Sequence, residues 1–182
     1  MHFSERVWRE RGLRDAALAG DGAAWCALYE GAFAGLDAYA LWRCGGLRDR
    51  ADDVVQDTWL TAVRRLRVFE PERGDFPSWL RGIAANLLRN LFRRERRRGP
   101  IQSLNGAASP AVDGTADRER AERVAVALAS LPDHYEAALR AKYLDGRAVA
   151  DIAADTGATE KAVESLLTRA RQAFREAYAQ SE

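Results

Sequence analysis

Residues 99–117, GPIQSLNGAASPAVDGTAD, hold two prolines and three glycines and no repeat of apolar side chains at helical or strand spacing. Such a stretch buries too little apolar surface to offset the entropy lost on ordering it. It therefore reads as a flexible linker that divides the 182-residue chain into two pieces, 1–98 and 118–182. Each piece must build its own core. Fully extended, 19 linker residues reach at most about 65 Å at roughly 3.3–3.6 Å per residue.

Both pieces carry helical periodicity, and long alternating runs of Val, Ile, Thr and Tyr are absent. The expected fold is all-α: two small helical domains, the C-terminal one containing a helix-turn-helix. Helices are expected over residues 1–19, from about Ala23 to Cys44, and from near Asp49 to about Val68. Another follows the corner at Glu70–Asp75, with Asp75 as its cap and Pro77 in its first turn. In the third helix Val55, Trp59, Ala62, Val63 and Leu66 form a stripe expected to be buried. Beyond the linker, short helices are expected over about 118–130, 133–144, 148–156 and 159–178.

Charge is strongly local. Between Asp49 and Asp57 stand four aspartates and one arginine, whereas Arg89 to Arg98 contains six arginines and one glutamate. The whole chain has a formal charge of only +1, so both runs are patches and the basic one suits phosphate. Asp53, Gln56 and Asp57 fall on a different face from the apolar stripe. Asp49, Asp52 and Asp53 are also explained as helix-start carboxylates; Gln56 and Asp57, a turn further in, fit better with a protein partner. Phe69, Phe76 and Trp79 flank the corner, where most are core and one or two are candidates to stack on an unpaired base.

In the C-terminal piece, VADIAADTGATEKAVESLLTRAR has helix-turn-helix form. Ala150, Ile152, Ala153, Val163, Leu167 and Ala170 are the expected contacts, Gly157 makes the turn, and Thr159 caps the second helix. Lys161, Glu164, Ser165, Thr168, Arg169 and Arg171 face outward on that helix. The arginines suit phosphate, Ser165 and Thr168 reach base edges, and Glu164 suits a cytosine N4 donor.

Other classes are poorly supported. Cys26 and Cys44 are isolated and expected to be small buried side chains; His2 and His134 are also isolated, so no metal site is expected. No phosphate loop, HExxH or nucleophile–base pattern is present, so neither an enzyme nor a cofactor is expected. No apolar run approaches the ~20 residues that span a bilayer, and the charged N-terminal sequence has no signal-peptide core. The expected location is the cytoplasm.

The chain resembles bacterial RNA polymerase sigma factors of the extracytoplasmic-function class. DRADDVVQDTWLTAVRRL resembles the helix that binds core polymerase, and FEPERGDFPSWLRGIAANLLRNLFRRERRR resembles the following loop and the promoter −10 helix. LPDHYEAALRAKYLDGRAVADIAADTGATEKAVESLLTRAR resembles the −35-binding region. The resemblance implies that Asp52, Asp53, Gln56 and Asp57 face the clamp helices of the largest polymerase subunit. It implies that Asn86 holds a flipped −10 base in a pocket shaped by the loop around Phe69–Phe76. Arg89, Arg93, Arg94, Arg96 and Arg97 would track the DNA backbone. An anti-sigma factor is a further implied partner. Elements about 17 base pairs apart lie roughly 60 Å apart, within reach of the linker.

One departure stands out: where the family's recognition helix usually reads V-K-S-R, this chain has Val163-Glu164-Ser165-Leu166. Two basic contacts expected at the −35 element are therefore missing. Two other functions fit parts of the sequence: a sigma mimic that binds an anti-sigma factor, and a helix-turn-helix repressor. The repressor leaves the exposed face of the third helix without a purpose.

Overall fold

Helical periodicity becomes eight α-helices among the residues described by the computed structural model, which are 3–98 and 115–180, with side chains described for 4–94 and 115–180. The expected linker falls outside them up to residue 114. The N-terminal helices are α1 (Phe3–Leu18), α2 (Gly22–Arg43), α3 (Arg48–Arg65) and α4 (Phe76–Arg98). They are followed by α5 (Thr115–Ser130), α6 (Asp133–Leu139), α7 (Val149–Thr156) and α8 (Glu160–Ala179). A 3-10 turn, Leu66–Val68, follows α3, and a π turn, Arg140–Leu144, continues α6. Helix α5 starts three residues before the expected 118, which places Asp117 in its first turn, where the dipole favours a carboxylate.

The ends of these helices follow from side chains and glycines. The Asp21 carboxylate accepts from the amides of Ala23 and Ala24 at 2.8 and 3.3 Å and caps α2. Gly45 and Gly46, at φ 67° and 94°, end that helix in a conformation L side chains rarely adopt. Asp75 caps α4 by accepting the Ser78 amide at 2.7 Å. Burial opposes its charge, yet the bonds from the Ser78 hydroxyl and amide prevail and hold its carboxyl below the usual range. Gly157 (φ 65°) ends α7, and the Thr159 hydroxyl accepts the Ala162 amide at 3.2 Å to cap α8.

Two compact units result, each with its own core. One comprises α1 to α4 except Trp42–Leu47; the other takes that segment together with α5 to α8. In the first, Leu28 and Leu36 of α2, Val54 and Ala62 of α3, and Leu80 and Leu88 of α4 are buried beside Phe69 and Phe76. In the second, Leu128, Leu139, Ile152, Val163, Leu167 and Ala170 form the centre.

Three burial expectations are corrected. Val63 is 57% exposed, because α3 turns Ala51, Val54, Val55, Thr58 and Ala62 inward and leaves Val63 outside that arc. Ala150 lies on the open side of α7, whose buried residues are Ile152 and Ala153. Cys26 is exposed, since Ala24 and Leu28 take the inward positions of that turn, whereas Cys44 is buried.

Candidate functional site

Three exposed surfaces carry the residues singled out by the sequence. On α3, Asp52, Asp53, Gln56 and Asp57 are all exposed. Arg48 donates to Asp37 at 2.6 Å and reaches Asp52 at 3.5 Å, and the bond to Asp37 raises the pKa of the Arg48 guanidinium. Asp52 is thus shared with a neighbouring cation. The same side of α3 continues into Leu60 and Val63, 48% and 57% exposed. Asp53, Gln56, Asp57, Leu60 and Val63 stand at successive helical spacings, so one ridge runs from acidic to apolar. Leu60 was not distinguishable from a core leucine by type alone.

The second surface is an open cleft of about 270 Å³ lined by Arg65, Val68, Trp79, Gly82, Ile83 and Asn86. Three elements build it: the end of α3, the 3-10 turn and the first half of α4. Phe69 and Phe76 are 1% and 2% exposed and do not line it. Both pack against Trp79, with ring centroids 5.3 and 5.7 Å away, and so fix the one aromatic that does. Asn86 is exposed, and its Oδ1 accepts from Arg89 Nη2 at 2.9 Å. Its position is therefore tied to a guanidinium one turn further along.

Past the cleft, Arg89, Arg93 and Arg94 are exposed on α4. Arg96 and Arg97 belong to the same helix, but their side chains lie outside the described residues. Asn86, Arg89 and Arg93 share one side of α4, together with the exposed Asn90. Sequence reasoning passed over Arg65, Val68, Gly82 and Asn90. Asn90 had a signal, its spacing of four from Asn86. Arg65 and Val68 had none, since only the turn after α3 brings them to α4.

The third surface is the start of α8. Lys161, Glu164, Ser165, Thr168, Arg169 and Arg171 are all exposed, opposite the buried Val163, Leu167 and Ala170. Lys161, Glu164, Ser165 and Thr168 make the middle of this face, and Arg169 and Arg171 flank it on opposite edges. Thr168 donates to the Glu164 carbonyl at 2.9 Å, and Arg171 Nη2 donates to Thr168 Oγ1 at 3.2 Å. Leu166 is half-buried and packs on the core of its unit. An apolar residue there is explained by packing, so Glu164 is the substitution that changes the exposed face.

No helix among the described residues is long and apolar enough to cross a membrane. The model of Sigma-70 region 2 matches residues 36–98, and that of Sigma-70 region 4 matches residues 121–174. The ECF RNA polymerase sigma factor SigL of Mycobacterium tuberculosis is 33% identical over 163 residues, covering 87% of this chain and 91% of the relative. The ECF RNA polymerase sigma factor BldN of Streptomyces coelicolor is 28% identical over 163 residues, 87% of this chain and 61% of BldN. Among solved structures, CnrH in complex with the cytosolic domain of CnrY matches with a TM-score of 0.51 and 27% identity, over 96% of this chain and 99% of that one. With both region models matched in chain order, on units that carry the cleft and the helix-turn-helix, this chain belongs to the extracytoplasmic-function sigma factors, which initiate transcription with RNA polymerase.

Proposed function

We propose that the three surfaces divide the work of initiation. The ridge of α3, through Asp52, Asp53, Gln56 and Asp57, docks the clamp helices of the largest polymerase subunit, with Leu60 and Val63 as the apolar end of the contact. The fully desolvated part of an interface carries most of its energy, while rim charges steer approach. The cleft on α4 receives a base extruded from the −10 element: Trp79 offers a stacking face, Asn86 a hydrogen-bonding amide. Arg89, Arg93, Arg94, Arg96 and Arg97 hold the backbone beside it. Extruding a base costs a few kcal/mol, and a pocket that binds it offsets that cost.

The start of α8 enters the major groove at the −35 element, with Lys161, Ser165, Thr168, Arg169 and Arg171 on phosphates and base edges and Glu164 accepting from cytosine N4. The protein performs no catalysis of its own and works in the cytoplasm, where polymerase and promoter are. CnrH is solved with the cytosolic domain of CnrY; a protein inhibitor that covers the same surfaces is the matching expectation for this chain.

What carries this reading is the cleft itself, an aromatic and an amide beside a guanidinium on the helix that continues into the arginines. Promoter-specific run-off transcription with core polymerase tests it. Wild type is expected to yield discrete transcripts. Asn86→Ala is expected to slow open-complex formation about tenfold, equivalent to about 1.4 kcal/mol, with total DNA affinity changed less than twofold. Equal loss of both would remove Asn86 from a base-holding role.

A further inference from the structure

Helix α1 lies outside the residues matched to Sigma-70 region 2. Val7 and Ala17 are its buried apolar side chains, whereas Glu10, a carboxylate, is only 5% exposed. A buried carboxylate must be paired and hydrogen-bonded. Glu10 is both. Its Oε2 pairs with Arg6 at 2.8 Å, and its Oε1 accepts the backbone amide of Phe76 at 3.1 Å.

Phe76 is the first residue of α4, so its amide has no partner within the helix. Glu10 supplies one from another helix, next to the Asp75 cap. Two carboxylates thus meet the α4 N-terminus, where the helix dipole favours them. The rest of α1 grips the other end of the same loop. Arg6 Nη2 donates to the Pro71 carbonyl at 3.3 Å, Arg14 Nη1 donates to the Phe69 carbonyl at 3.0 Å, and Arg11 pairs with Glu72. Arg6, Glu10 and Arg14 stand four residues apart, one stripe of a helix facing one loop.

That loop leads directly into the cleft. Val68, just before it, lines the cleft, and Phe69 and Phe76, at its two ends, pack against Trp79. We propose that α1 is a positioning clamp: Glu10, Arg6 and Arg14 hold the Phe69–Phe76 loop in register with α4 and thereby set the base selectivity of the −10 pocket without touching DNA. This rests on the reading of the cleft as that pocket. The clamp does not include the α3 ridge, so docking on polymerase is expected to be independent of it.

The test uses the full chain with Glu10→Ala, Glu10→Gln and Arg14→Met. In the free protein, amide hydrogen exchange at Phe76 and across the loop reports the clamp. With core polymerase, open-complex formation on promoters varied one base at a time across the −10 element reports selectivity. Glu10→Ala is expected to speed Phe76 exchange and to shrink the ratio between best and worst base, each about tenfold, the scale of one lost buried hydrogen bond. Core binding should stay within twofold of wild type. Glu10→Gln keeps an acceptor oxygen for the Phe76 amide and is expected to restore most of both. Arg14→Met, which keeps the stem, should shift selectivity in the same direction by a smaller factor.

Unchanged exchange at Phe76 in Glu10→Ala overturns the clamp. So does a loosened loop with unchanged base preference, or a parallel tenfold loss of core binding, which would mark a general destabilisation. Absence of any base preference in wild type would instead overturn the pocket reading. The two failures are distinguishable because exchange is read on the free chain.

Discussion

Asp75 serves the stability of α4 at its first turn. Its carboxylate caps α4 through the Ser78 amide, and its carboxyl is held below the ordinary range. A folded-state pKa below the unfolded one means the stabilisation is complete above the ordinary carboxylate value, about 3.9, and fades as pH falls through the lower folded value. Asp75→Ala is therefore expected to cost about 1 kcal/mol at pH 7, a fall in Tm of about 4–8 °C for a unit of this size. Thermal melts from pH 7 to pH 3 should show the gap between variant and wild type narrowing with acidification. A gap that widens would mean the stabilising form is the protonated one. At this scale much was legible: Asp75, Thr159 and Gly157 each do locally what their residue types favour. Glu10 was not, because nothing about a glutamate in a charged helix indicates that it is buried.

Elements reveal why some features could be read and others not. Periodicity separates the two sides of a helix, and it placed Asp53, Gln56 and Asp57 outward and Val55, Ala62 and Leu66 inward. It erred on Val63, where an apolar residue beside the buried arc was assigned to it. The error has a functional side, since Val63 and Leu60 extend the acidic ridge of α3. If that ridge docks on polymerase, Leu60→Asp is expected to weaken core binding at least tenfold, more than Asp57→Ala. A charge introduced at the desolvated end costs more than a carboxylate lost at a wet rim. Quantitative pull-down with core polymerase measures both. An unaffected Leu60→Asp would confine the contact to the acidic end. The α1 clamp was out of reach of any periodicity argument: its bonds to Pro71, Phe69 and Phe76 span 65, 55 and 66 residues and join side chains to backbone groups.

For the whole molecule, the two surfaces proposed to meet DNA sit on different units and differ in charge. The α4 surface concentrates arginine, while the α8 surface places Glu164 among Lys161, Thr168 and Arg171. On the proposed division of labour, the α4 side should therefore carry most of the salt dependence of promoter binding. Arg93→Ala is expected to lower the slope of log K against log salt by about 0.7–0.9, the release from one phosphate contact. Glu164→Lys should raise affinity and steepen the slope, and should also abolish any preference for cytosine at the base it faces. Because the two residues belong to separate units and, on that proposal, act on separate promoter elements, their free-energy effects should add within about 0.5 kcal/mol in the double variant. Promoter titrations of the reconstituted holoenzyme at several salt concentrations give all three quantities together. Coupling well above that margin would show that the units recognise the promoter as one body, and the division of labour between α4 and α8 would have to be abandoned.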